Sequence, residues 1–315
     1  MDTSVSLINN SMILNSPVIV ASGTFGYDGY GRGYESFSSL SNVGAIIPKT
    51  FTYYPREGNE EPRWYPTSFR QGVQDGETIL LNSVGLTNPG IHKGIEYLNS
   101  IRPDIPTKLF ASISGDTVEQ FAEMAHEVSK SGSDALELNL SCPNTETGSM
   151  FSHDAALVTS VVTAVVAEYK LPVIVKLSPN VPNIVEIAEA AVNAGAKVLT
   201  VCNTMPAMKI DIHTRKPVLG NVMGGLSGIS LKPISIALIH QIKSNIDIPI
   251  IGVGGVFGPE DIIEYLMVGA SAVQVGSANL ISPQAPIKLQ EDLITFMAKN
   301  NISNIKAVKR FSEVD

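Results

Sequence analysis

Residues 109–140 read LFASISGDTVEQFAEMAHEVSKSGSDALELNL. Leu109–Ile113 and Ala135–Leu140 are apolar-rich runs, each long enough for one buried strand. Between them, Val118–Ser131 places Phe121, Ala125 and Val128 on one helical stripe, and Gly132 follows the last periodic residue, where a left-handed C′ residue is expected. The stretch is therefore strand, helix, strand, the unit from which parallel sheets are built.

The same rhythm extends in both directions. Pro17–Ala21, Ala45–Lys49, Val173–Leu177, Val198–Cys202, Ile248–Val253 and Ala272–Val275 are further strand-length runs, which brings the total to eight. Ile184–Ala194 carries Ile184, Ile187, Ala188 and Ala191 on one stripe, and Gly195 and Gly269 sit where helices should end. Pro259 followed by Glu260 and Asp261 reads as a first helical turn. Eight strands alternating with helices predict a (β/α)8 TIM barrel spanning residues 1–315 as a single domain, although periodicity alone leaves an open doubly wound sheet as the alternative. Two long interruptions, Phe51–Ser83 and Asn203–Ser227, both follow strands. In a barrel they would stand at the C-terminal mouth, where active sites are built, as long loops.

Hydrophobic residues make up 44% of the chain and charged residues 17%, enough apolar material for a large core and unlike a disordered chain. A net charge of −8 offers no basic footprint for nucleic acid. Two cysteines, Cys142 and Cys202, exclude a disulfide scaffold and a cysteine-rich zinc site, and fit a reducing compartment. No uninterrupted apolar run is long enough to span a membrane, and the N-terminus has no signal-peptide pattern, so a cytoplasmic location is expected.

The strand ends carry the chemistry. In order they read Ala21-Ser22-Gly23-Thr24, Pro48-Lys49-Thr50, Ser112-Ile113-Ser114-Gly115, Asn139-Leu140-Ser141-Cys142-Pro143-Asn144, Lys176, Cys202-Asn203-Thr204, Gly254-Gly255 and Gly276-Ser277. Glycines after the last two strands let backbone N–H groups approach a phosphate, although Gly254-Gly255 alone is equally a plain turn. Phe257 stands where a dinucleotide fingerprint needs its third glycine, so a Rossmann turn is a poor match. Lys49 and Lys176 project from strands into a low-dielectric mouth and call for an anionic partner, a flavin or a substrate anion; a structural salt bridge is the plainer reading. Cys142, ahead of Pro143 and framed by Asn139, Ser141 and Asn144, reads as an exposed thiol suited to acid–base work, although isolated cysteines are more often inert. Cys202 lacks that frame and reads as packing. Asn82, Asn139, Asn144 and Asn203 would each pass as turn residues, but four at one rim match the edge of a planar imide or amide. The five histidines show no metal spacing, and no metal site is expected.

Taken with Gly58-Asn59, Pro62-Arg63, Asn82-Ser83-Val84-Gly85-Leu86, Asn88-Pro89-Gly90 and Gly224-Gly225-Leu226-Ser227-Gly228, these strand ends resemble the class 1 dihydroorotate dehydrogenases over nearly the whole chain. Arg215-Lys216-Pro217 leading to Gly224, and the stretch Gly148–Asp154, are most similar to the type 1B catalytic subunit. The resemblance implies an FMN barrel that oxidises dihydroorotate to orotate in pyrimidine synthesis. It casts Cys142 as the base for the C5 proton and Lys176 as the stabiliser of charge on the reduced flavin. Lys49 would serve substrate and flavin together. Asn82, Ser83, Val84, Gly85, Leu86, Asn139, Asn203 and Thr204 would face the substrate. Ser22, Lys49, Thr50, Ser112, Asn139, Lys176, Cys202, Gly228, Gly254, Gly255, Gly276 and Ser277 would hold FMN. The resemblance further implies an iron–sulfur and FAD electron-transfer subunit that delivers electrons to NAD, with a homodimer core inside a heterotetramer. Two cysteines cannot ligate a four-cysteine cluster, so such a cluster would belong to the partner. Ser83, Ser112 and Ser277 depart from the family pattern while staying small, and Tyr65–Ile79 is longer than usual. A type 1A enzyme using fumarate, a flavin-dependent dihydropyrimidine dehydrogenase acting on uracil or thymine, and a non-catalytic flavin subunit are the competing readings.

Overall fold

Parallel strands packed between a filled interior and an outer helical layer are buried on both faces, which selects apolar runs. The computed structural model describes residues 1–8, 11–68, 79–141 and 150–313. Its strands β1 (Val18–Val20), β2 (Ala45–Ile46), β3 (Lys108–Ser114), β4 (Ala135–Asn139), β5 (Val173–Leu177), β6 (Val198–Val201), β7 (Ile250–Val253) and β8 (Ala272–Val275) run parallel in chain order. β8 pairs back onto β1, and Ala45 and Ile46 lie opposite Lys108 and Leu109, so the sheet closes into the expected eight-stranded barrel. The chain leaves the ladder after Ile46 and rejoins it at Phe51–Thr52, beside Ile113 and Ser114 of β3. Lys49 lies in that gap, its N–H donating to Gly29 O at 2.9 Å.

The outer layer consists of α1 (Ile91–Ile101), α2 (Val118–Val128), α3 (Ala155–Glu168), α4 (Ile184–Asn193), α5 (Lys232–Lys243), α6 (Pro259–Val268), α7 (Ser277–Ile281) and α8 (Ala285–Lys299). Between β1 and β2 the described helix is a single 3-10 segment, Phe37–Asn42. Thr117, Asp154 and Asn183 cap α2, α3 and α4 by accepting from backbone N–H groups of the first turn. Phe121 of α2 is fully buried and meets Phe151 edge-on, ring centroids 5.4 Å apart.

Gly195 and Gly269 take φ of +116° and +107°, as expected of left-handed caps. Gly132 does not. Helix α2 ends at Val128 with Ser129 as its cap, and a Cβ on Gly132 would lie 2.7 Å from Arg102 Cγ, so this glycine makes room for a neighbour and terminates nothing.

The two long interruptions are not independent loops. Met205–Ala207, Gly224–Ser227, Leu80–Asn82 and Trp64–Tyr65 form one antiparallel four-stranded sheet, in which Gly225 lies opposite Asn82 and Leu226 opposite Leu81. Most of the long Tyr65–Ile79 segment lies outside the described residues. At the other end of the barrel a hairpin, Val5–Ile8 with Met12–Leu14, buries Leu7 and Leu14, and Leu14 packs beside Gly44 where the chain enters β2. No helix among the described residues is long and apolar enough to cross a membrane.

Candidate active site

A cavity of about 340 Å³ opens at the C-terminal ends of the strands, the end where barrel enzymes carry their chemistry. Ser22, Lys49, Thr50, Asn82, Ser83, Val84, Gly85, Leu86, Asn139, Lys176, Cys202, Asn203, Thr204, Gly254, Gly255, Gly276 and Ser277 all line it. Two residues assigned to the cofactor stand behind the wall. Ser112 is buried and bonds Thr50 Oγ1 at 2.9 Å, Thr50 in turn bonding Ser22 at 2.7 Å. Gly228 donates its N–H to Ser277 Oγ at 3.1 Å. Cys142 and Asn144 lie outside the described residues.

The amides at the rim are set by one another. Asn203 Nδ2 donates to Asn139 Oδ1 at 3.1 Å and to Ser141 Oγ at 2.6 Å, while its Oδ1 accepts from Thr204 N–H at 2.8 Å. Asn203 is thus largely committed to holding the rim together, whereas Asn139 contributes only its oxygen to that network. The segment 82–86 is braced from behind by Asn59, whose N–H donates to Val84 O at 3.1 Å and whose Nδ2 donates to Ser83 O at 3.1 Å. Gly85, at φ +74°, lets that brace come close, because a Cβ there would lie 2.6 Å from Asn59 N. Gly224 and Gly225 do the same for the cap sheet: side chains there would meet Asn82 O at 2.3 Å and Thr204 Oγ1 at 2.0 Å. The Gly-Gly-Leu-Ser-Gly run is what allows Asn82 and Thr204 to flank one strand.

At the far end, Gly254 and Gly255 have φ of +127° and +65°, where a side chain is strained. Tyr265 of α6 holds this turn by donating its hydroxyl to Gly254 O at 2.7 Å. A Cβ at Gly276 would touch only Ala21 Cβ, at 3.6 Å, so packing within the chain leaves that position open.

Lys49 is the cationic side chain of the rim among the described residues. Burial pulls the Lys49 ammonium below the ordinary lysine range; Asp28 works against this and Arg63 adds to it. Cys202 is buried, and its desolvated thiol is pushed up to about 12, so it stays protonated and inert, in keeping with a packing role.

Deeper in the barrel is a feature the sequence reading missed. Glu137 of β4 is fully buried and lines the cavity beside Lys176 of β5, itself 9% exposed. Glu137 Oε2 accepts from Thr200 Oγ1 at 2.9 Å and Gln274 Nε2 at 2.6 Å, and its Oε1 stands 3.9 Å from Lys176 Nζ. Lys176 also donates to Gln274 Oε1 at 3.3 Å. The signal was present: in Ala135-Leu136-Glu137-Leu138-Asn139 the acidic residue shares a strand face with Asn139, already singled out. Trp64, Leu231 and Leu280 also line the cavity, with no polar signature to mark them.

The chain is similar to known proteins over almost its whole length. A family model described as dihydroorotate dehydrogenase matches residues 5–297. A protein from Alkaliphilus metalliredigens named dihydroorotate dehydrogenase B (NAD(+)), catalytic subunit, is 40% identical over 94% of this chain and 94% of its own. The protein of the same name from Petrotoga mobilis is 39% identical over 98% of each chain, and that from Bacteroides thetaiotaomicron 37% identical over 98% and 97%. With a family model matching residues 5–297 and relatives of about 40% identity over almost the full length, the chain belongs to the dihydroorotate dehydrogenase family.

Proposed function

We propose that this chain is the catalytic subunit of a type 1B enzyme that oxidises dihydroorotate to orotate for pyrimidine synthesis, with FMN in the cavity. The observation that carries the reading is a single cavity with two chemically distinct ends: amides and Lys49 at the rim, and positive-φ glycines at Gly254 and Gly255 beside Gly276. This arrangement fits a flavin phosphate at the glycine end, since a side chain at Gly276 would fill open space beside the turn, whereas Cβ atoms at Gly254 and Gly255 would run into Leu231 and Lys232. Ser277, bonded to Gly228, completes that cradle, and Ser22, Thr50 and Lys176 line the cavity wall. Bound FMN supplies the acceptor for the hydride leaving C6 of the substrate.

The protein's own part is orientation and proton transfer. Asn82, Ser83, Val84, Gly85 and Leu86 form the substrate wall, with Asn139, Asn203 and Thr204 opposite. Lys49, lining the cavity, favours a carboxylate-bearing ring, which supports dihydroorotate over uracil or thymine. Cys142 Sγ takes the C5 proton, and Lys176 places positive charge where negative charge accumulates. Electrons leave to NAD through a partner carrying FAD and an iron–sulfur cluster, around a homodimer of this chain. The cytoplasm, where thiols stay reduced, suits Cys142.

The test is to mix the purified chain anaerobically with dihydroorotate while following the flavin band near roughly 450 nm. Bleaching is the expected result; a colourless protein, or a yellow one that stays yellow, overturns the reading. Cys142→Ala should keep its flavin and orotate binding while reduction slows by about 10²–10⁴-fold. For the wild type the reduction rate should rise with pH as the thiol ionises, and a flat profile between roughly pH 6 and 9 would refute a thiolate base.

A further inference from the structure

Glu137 is the carboxylate that the reaction as drawn leaves unused. An acidic side chain with no exposed surface is costly inside a barrel and is retained only with compensating partners. The compensation here is asymmetric. Oε2 accepts from Thr200 and Gln274, while Oε1, without a hydrogen-bond partner among the described residues, faces Lys176 Nζ at 3.9 Å and the cavity. With Thr200 and Gln274 donating to Oε2 and the Lys176 ammonium beside Oε1, the arrangement suits a carboxylate. Gln274 ties the two charges together, donating to one and accepting from the other.

Resting on the FMN reading above, we propose that Glu137 is a positioning residue for Lys176: it anchors the ammonium at the cavity wall and limits the positive charge that the site presents to the bound flavin. Lys176 alone would attract any anionic form of the ligand; paired with Glu137 across β4 and β5, its charge is offset by a carboxylate in the same cavity wall. Thr200 and Gln274 reduce the charge available on the carboxylate by donating to it, so the four side chains set the field jointly.

Sulfite is a suitable probe, because it adds to oxidised flavins as a nucleophile and leaves negative charge on the ring, so its affinity reads the local field without substrate or turnover. Purified wild-type holoprotein, Glu137→Gln and Thr200→Val are titrated with sulfite at fixed pH, following loss of flavin absorbance. Glu137→Gln keeps the shape and removes the opposing charge, so sulfite should bind at least tenfold more tightly. Thr200→Val removes a neutral donor and leaves the carboxylate more negative, so sulfite should bind about threefold more weakly. Opposite directions in the two variants are the signature; a merely structural Glu137 would lower the melting temperature and leave sulfite affinity unchanged. Unchanged affinities, or shifts of the same sign, overturn the proposal. Should Glu137→Gln not fold, Thr200→Val decides alone, weaker binding supporting and equal or tighter binding refuting. A colourless wild type refutes the FMN reading itself, whereas a yellow, sulfite-reactive wild type with unresponsive variants refutes only the role of Glu137.

Discussion

Lys49 owes its place to residues with no side chain of their own. Its stem runs past Gly23 and Gly29, and a Cβ at Gly29 would lie 3.0 Å from Lys49 Cδ and 3.2 Å from its Cβ, in a backbone conformation, φ +86°, that L residues resist. The Gly29 carbonyl also accepts the Lys49 N–H. Gly29→Ala should therefore displace the ammonium without touching the ligand, slowing flavin reduction by dihydroorotate by on the order of 10- to 100-fold while FMN stays bound. Unaltered stopped-flow rates would detach Lys49 from the reaction. At this scale the sequence is half legible. Lysines at strand ends are conspicuous because a cation in an apolar run demands a reason, and both proved to line the cavity. Glu137 escaped notice because its meaning lies in Thr200 and Gln274, which are 63 and 137 positions away in the chain.

Helix α6 and strand β7 behave as one part. A Cβ on Gly252 would fall 2.2 Å from the Tyr265 ring, so the ring packs directly on the strand backbone, and the hydroxyl beyond it fastens the Gly254 carbonyl. Tyr265→Phe should cost about 1 kcal/mol of stability. If the turn holds the flavin phosphate, the variant should also weaken FMN binding; a fluorescence titration of apoprotein with FMN would record the loss, and an unchanged dissociation constant would separate the helix from the cradle. Gly252→Ala should be worse, because the ring has nowhere to go; loss of soluble protein or a markedly lower melting temperature is expected. Elements were the most legible level. Eight apolar runs and their intervening stripes each gave an element, since burial on both faces leaves a compositional trace that needs no knowledge of partners, although the run read as Ala45–Lys49 holds the ladder only over Ala45–Ile46 and the helix read to Ser131 ends at Val128. What left no trace was the pairing of Leu80–Asn82 with Gly224–Ser227, because antiparallel partners so far apart in sequence have no shared turn to announce them.

For the molecule as a whole, burial governs its response to alkali. Cys202 is raised from 9.0 to about 12, and Tyr169 and Tyr30 from 10.0 to about 12, chiefly because the folded chain removes them from water. Each binds its proton more tightly when folded than when unfolded. Their contribution is therefore complete below about pH 9 and falls as pH rises towards 12. The buried Tyr169 phenol should forfeit on the order of 1 kcal/mol by about pH 11, and the half-buried Tyr30 less. Urea midpoints should accordingly drop between about pH 8 and 10.5, and a constant midpoint would contradict the burial of these groups.

The sheet over the mouth also bears on how such enzymes diversify. Gly224–Ser227 lies between Met205–Ala207 on one side and Leu80–Asn82 on the other, so segments descending from two different strands share one ladder. A chimera that imports one segment from a distant relative breaks that ladder and strands its partner, whereas importing both carries the ladder intact. The two insertions therefore form a single unit of inheritance, and new specificities at this mouth should arise through exchanges made in pairs.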